Sequence, residues 1–130
     1  MKAQVATEFL VIVSVSLIIL IPIIYFAFFY AFESTTSSEV QRTANNIADT
    51  ADYIYSLGNG SQATIQVSIP QGVINSSVTN KTISFKIGNR AGISDVIAVT
   101  KANVVGTVPS SVGIYKIKLQ NLNGLIIINW

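Results

Sequence analysis

Six carboxylates and eight Lys or Arg make up the ionisable inventory of this chain, which has neither His nor Cys. The missing Cys excludes a disulfide framework and thiolate nucleophiles, and the missing His removes the usual general base and the commonest metal ligand. No spaced cluster suggests catalysis, so no catalytic residue, metal site or cofactor is expected, and the chain does not read as an enzyme. One acid stands apart. Glu8 borders a long apolar run, and Lys2 is the only other charge before Glu33. A carboxylate at the edge of a spanning helix is costly unless it is neutralised, paired or held near the interface. Two readings follow: an acid in the first helical turn, favoured by the positive end of the dipole at headgroup depth, or an acid that requires a cationic partner.

The elements that would position Glu8 follow from hydrophobic period. From Phe9 to Phe32 there are 24 residues without a charge, interrupted only by Ser14, Ser16 and Pro22. About 20 apolar residues cross the hydrocarbon core as a helix, the form that pairs its own backbone groups in lipid. The run exceeds the roughly 7–15 residues of a secretory signal peptide, and no small-residue cut site follows it. Pro22 predicts a kink or a short melted stretch. From Glu33 onward the chain turns polar, yet Val40, Ala44, Ile47, Ala51 and Ile54 recur at helical spacing with Arg42, Asn46, Asp49 and Asp52 mostly off that stripe. The spacing predicts one helix from about Gln4 to Leu57, stopped by Gly58-Asn59-Gly60. Residues 9–32 form its spanning part, and 33–57 an amphipathic part whose stripe packs on a following domain.

Beyond Gly60 the period becomes two. Ile65–Ile69, Ile83–Ile87 and Tyr115–Leu119 alternate apolar with polar, while Val96–Thr100 and Leu125–Trp130 are more continuously apolar. Turn chemistry separates them at Pro70-Gln71-Gly72, at Gly88–Gly92 and at Asn121–Gly124, the last a hairpin signal. The expected class is α+β: a long apolar helix, then a β-rich head over 58–130 of five to seven antiparallel strands, built as a small sandwich or a strongly curved sheet. Residues 1–57 carry net charge −3 and residues 58–130 carry +5. Strand-face lysines keep such a domain soluble and guard its edges. No aromatic–basic interleaving accompanies them, so nucleic acid is not an expected partner.

The N-terminal run Lys2-Ala3-Gln4-Val5-Ala6-Thr7-Glu8-Phe9-Leu10, followed at once by the apolar stretch, resembles the class III signal peptide of archaeal type IV-like pilins. In that family a basic and a small residue precede a cut, which is followed by Gln-x-Ser/Ala-x-Glu-Phe/Tyr-Leu. The resemblance implies that a prepilin peptidase recognises Lys2 and Ala3 and cuts before Gln4, removing 1–3 as a leader. Glu8 then becomes the fifth residue of the mature chain and pairs with the new amino terminus of a neighbouring subunit. Ala6 stands where Ser is commoner, and the leader is shorter than usual for the family. The implied partners are other copies of the chain in a helical filament, the peptidase and assembly machinery, the membrane before assembly, and a host surface or surface layer. The implied location is an extracellular pilus on an archaeal cell, its precursor held in the cytoplasmic membrane with the head outside and its role adhesion. The alternative is a monomeric single-span surface protein, or an accessory part of a filament machine or surface layer.

Asn59, Asn75 and Asn80 each begin an Asn-x-Ser/Thr triplet in the head, at or beside the predicted turns, and are candidate N-glycosylation sites on an exported chain. With ten Asn and abundant Ser and Thr, chance accounts for most such triplets.

Overall fold

The structure is a computed structural model that describes residues 1–89 and 92–130, excepting the side chains of Lys2, Phe32, Glu33 and Ser34. Arg90 and Ala91 of the predicted turn, and the charged groups of Lys2 and Glu33, therefore lie outside the described residues. The order is α1 (Lys2–Leu57), β1 (Gln62–Ile69), β2 (Val73–Asn89), β3 (Gly92–Gly106), β4 (Gly113–Leu122) and β5 (Leu125–Asn129). The α+β class read from the two periods is the architecture observed.

α1 starts at Lys2, ahead of the predicted Gln4, which places Glu8 beyond its first turn. It continues as helix through Pro22, so the melted stretch expected there does not form. Proline removes a single backbone bond, and the turns on either side keep theirs. Its C-terminus is glycine-made: Gly58 takes φ 93° and donates its N–H to the Tyr55 carbonyl at 3.2 Å. That positive φ suits glycine and lets the chain leave the helix at once.

The chain divides into two compact units, Met1–Ser34 and Thr35–Trp130. The first is helix alone. In the second, Val40, Ala44, Ile47, Ala48, Ala51 and Ile54 of α1 are buried in one cluster with Ile83, Phe85, Val104, Ile117, Leu119, Ile126 and Ile128. The stripe thus joins the sheet's core.

Of the two forms expected for the head, the strands make a single sheet in the order β1-β4-β5-β3-β2, and α1 is the second layer. A sandwich needs a second sheet to cover the first; here the helical stripe covers the one apolar face. The sheet is also not wholly antiparallel. β3 pairs with β5 in parallel from Asn103↔Leu125 to Gly106↔Ile128, while the other pairings are antiparallel.

β2 and β3 each fold back on themselves. The Ser77 and Ser84 hydroxyls lie 2.7 Å apart, and the Gly88 N–H donates to the Gly72 carbonyl at 2.8 Å. At about 3.3 Å per residue a straight strand would hold Ser77 and Ser84 roughly 23 Å apart. The chain therefore reverses between them, where Asn80 adopts φ 56°. Residues 92–99 run along the second arm of this hairpin, with Thr82↔Val99 at the tip, whereas Val104 lies opposite Asn80 and the Val108 carbonyl accepts from Ser76 Oγ on the first arm. Since the two arms run in opposite directions, β3 also reverses, around the tip, through residues 100–103.

Candidate assembly site

Every described residue from Ala3 to Ala31 is exposed except the half-buried Phe29. The large apolar side chains there run from 39 % exposed at Val13 to 71 % at Ile18, with no buried stripe. The stretch is long and apolar enough to cross a membrane, and none of it is covered by the rest of the chain. A helix apolar on all sides requires lipid or other helices around it.

The two serines within the uncharged run are satisfied by the helix itself. Ser14 Oγ donates to the Leu10 carbonyl and Ser16 Oγ to the Ile12 carbonyl, both at 2.8 Å. Neither serine therefore presents an unmet donor to an apolar surrounding. Tyr25 stacks on Phe29 at 6.4 Å between ring centroids, and Phe26 and Tyr30 meet these rings edge-on. They form an aromatic belt near the polar end of the run.

Glu8 is exposed, and its neighbours one turn away in sequence are Gln4, Val5, Val11 and Ile12, none of them charged. Dipole stabilisation fades beyond the first turn. Counted from Lys2, Glu8 stands past that turn. Thr7 Oγ1 donates to the carbonyls of Ala3 (3.1 Å) and Gln4 (2.8 Å), so the Ala3–Gln4 peptide lies inside the helical first turn. A peptidase acts on an extended segment, so cleavage there needs this turn to open, which terminal turns do readily.

The three Asn-x-Ser/Thr triplets differ in setting. Asn59 lies between α1 and β1, where its Oδ1 accepts from the Asn123 N–H at 2.8 Å, and Ser61 Oγ donates to the carbonyls of Ile54 and Gly58. Asn75 lies within β2 rather than in the turn before it, and its Oδ1 accepts from the Ser76 N–H. Asn80 occupies the reversal of β2, exposed.

Two side chains that sequence reasoning passed over hold α1 to the sheet. Asp52 read as a solvent-facing acid; it is half-buried, and its Oδ1 accepts from the N–H groups of Lys101 (2.7 Å) and Ala102 (3.5 Å) at the reversal of β3. Asn121 read as turn chemistry; it is buried and its Nδ2 donates to the carbonyls of Ile54 (3.2 Å) and Gly58 (2.9 Å), while its Oδ1 accepts from the Gly124 N–H (2.9 Å). A helix C-terminus leaves carbonyls without intrahelical partners, and Asn121 reaches across to meet them. No local pattern marks either residue for this role.

Among the described residues no three of His, Cys, Asp or Glu stand together as a metal set. Comparison with family models, curated proteins and solved structures finds no match for this chain.

Proposed function

We propose that this chain is a structural subunit of an archaeal type IV-like pilus, polymerising through its apolar N-terminal helix with the β head on the filament surface. The observation that carries the reading is the apolar surface of α1 from Val5 to Tyr30, exposed on all sides and bordered by the isolated carboxylate of Glu8. The order Lys2-Ala3-Gln4 through Glu8-Phe9-Leu10 supports it from the sequence side. Cutting before Gln4 creates an α-ammonium, and Glu8 of a neighbouring copy supplies the charge that makes its burial tolerable. Moving the helix from lipid into a bundle exchanges one apolar setting for another. The hydrophobic effect therefore contributes little, and packing, the Glu8 pair and the assembly machinery favour the filament. Before assembly the same helix anchors the subunit in the membrane with the head outside. On the head, Asn80 is better placed for a glycan than Asn59 or Asn75, whose amide oxygens and downstream hydroxyls are already engaged.

The test is mass spectrometry on surface filaments sheared from native cells. A filament component beginning at Gln4 is the expected result. Recovery of the chain from the membrane alone, with Met1–Ala3 retained, refutes processing and points to a permanently anchored surface protein.

A further inference from the structure

Two of the ten asparagines precede glycine, Asn59-Gly60 and Asn123-Gly124. In such a pair the glycine nitrogen can attack the asparagine Cγ, because no glycine side chain stands in its way. The N–Cγ bond forms, the Cγ–Nδ2 bond breaks and ammonia leaves, giving a succinimide that water opens to aspartate or isoaspartate. The attack needs the nitrogen to give up its proton and turn toward Cγ. A backbone N–H held by an acceptor does neither until that bond is broken.

Both glycine nitrogens are held, and by the same residue. The Gly60 N–H donates to the Asn121 backbone carbonyl at 2.9 Å, and the Gly124 N–H donates to Asn121 Oδ1, also at 2.9 Å. Asn121 is buried, and its Nδ2 is fixed on the Ile54 and Gly58 carbonyls, which keeps Oδ1 aimed at Gly124. The two pairs differ in what else restrains them. Asn59 Oδ1 accepts from the Asn123 N–H at 2.8 Å, which anchors the Asn59 Cγ as well. The Asn123 side chain is exposed and makes no hydrogen bond among the described residues. Protection of Asn123 therefore rests on the single bond from Gly124 to Asn121 Oδ1.

We propose that Asn121 shields both Asn-Gly pairs from deamidation, Gly60 through its backbone carbonyl and Gly124 through its side chain. Deamidation at either pair would put a negative charge beside the C-terminus of α1, where the helix dipole disfavours it. An isoaspartyl link would also insert an extra backbone carbon into a tight turn.

The unglycosylated full chain is held in mild detergent in a mildly alkaline buffer, beside the same chain in denaturant. Deamidation at Asn59 and at Asn123 is followed separately by peptide mass spectrometry. The expected result is that both sites react far more slowly in the folded chain. N121A removes the side-chain acceptor but keeps the backbone carbonyl. Asn123 should then deamidate about five- to tenfold faster than in the parent, the factor that one hydrogen bond carries, while Asn59 stays at the parent rate. D52A, which loosens the head elsewhere, should leave both sites at the parent rate. Folded rates that match the denatured ones, or no acceleration at Asn123 in N121A, overturn the proposal. Acceleration of both sites alike in N121A, or of Asn123 to the same degree in D52A, would assign the protection to global stability and overturn it as well.

Discussion

Replacing Asn121 by Ala removes three side-chain hydrogen bonds from a buried site, and the structure sets the size of the loss. Ile54 and Gly58 each keep one partner, because Ser61 Oγ donates to both carbonyls, at 2.6 and 2.7 Å. The Gly124 N–H has Asn121 Oδ1 as its acceptor at 2.9 Å, and that bond is lost. Each bond contributes about 0.5–1.5 kcal/mol net, and an orphaned buried donor costs about 1–3 kcal/mol. The total is roughly 2–4 kcal/mol, a shift in melting temperature of roughly 10–20 °C for a domain of this size. Thermal unfolding of the full chain in mild detergent, followed through Trp130 packed on Tyr115, reads this directly. Asn121→Asp sharpens the test. It replaces the one donor nitrogen with an oxygen facing two carbonyls, and burial with those neighbours raises the new carboxyl above its unfolded value of about 3.9. With the folded value raised, that variant is most stable below about pH 4 and loses stability as pH rises. Ser61→Ala shares the same acceptors, so the double variant should depart from additivity. An Asn121→Ala protein melting within about 2 °C of the parent, equivalent to a few tenths of a kcal/mol, would refute the claim that this side chain fastens the helix end to the hairpin.

Gly106→Ala would place a Cβ 2.0 Å from the Ile128 carbonyl oxygen, so the parallel pairing of β3 with β5 must part. The variant is expected to lose about 3 kcal/mol or more, whereas Gly92→Ala, also at positive φ but facing open space, should lose only about 1–2 kcal/mol through strain; comparative melting separates them. Asp52→Ala leaves two backbone donors at the reversal of β3 without their carboxylate, an expected loss of about 1–3 kcal/mol with faster hydrogen exchange at Lys101 and Ala102, and Asp52→Asn should retain part of it. Glu8→Ala is expected to abolish filaments on cells while the melting temperature of the head stays unchanged; normal filament numbers by electron microscopy would sink the pairing role.

Much of the fold was legible because it depends on local period. The uncharged run from Phe9 to Phe32 marks a helix that needs an apolar surrounding whatever follows it. Val40, Ala44, Ile47, Ala51 and Ile54 recur at helical spacing, and all five are buried. Asn123-Gly124 takes positive φ at both residues (53° and 84°) between Leu122 and Leu125, the two-residue turn that this dipeptide favours. What could not be read depends on residues far apart in the chain. Alternation shows that a strand has an inner face, but many pairings satisfy the same alternation. The parallel β3–β5 pair, the reversals in β2 and β3, and the choice of a single sheet over a sandwich are therefore invisible to periodicity.

The candidate site divides in the same way. Residue types alone exclude thiol and imidazole chemistry and isolate Glu8 as an acid without a charged neighbour one turn away. The tertiary structure decides the roles of Asp52 and Asn121, because a hydrogen-bonding side chain is defined by what folding brings opposite it. For Asp52 that is a backbone reversal 49 residues away, and for Asn121 a helix end 67 residues away. Sequence by itself determined which segment must meet an apolar surrounding, since that is a property of composition over consecutive residues. Only the fold decided that one sheet, with a parallel pair inside it, covers the stripe of α1, since that depends on how distant strands pair.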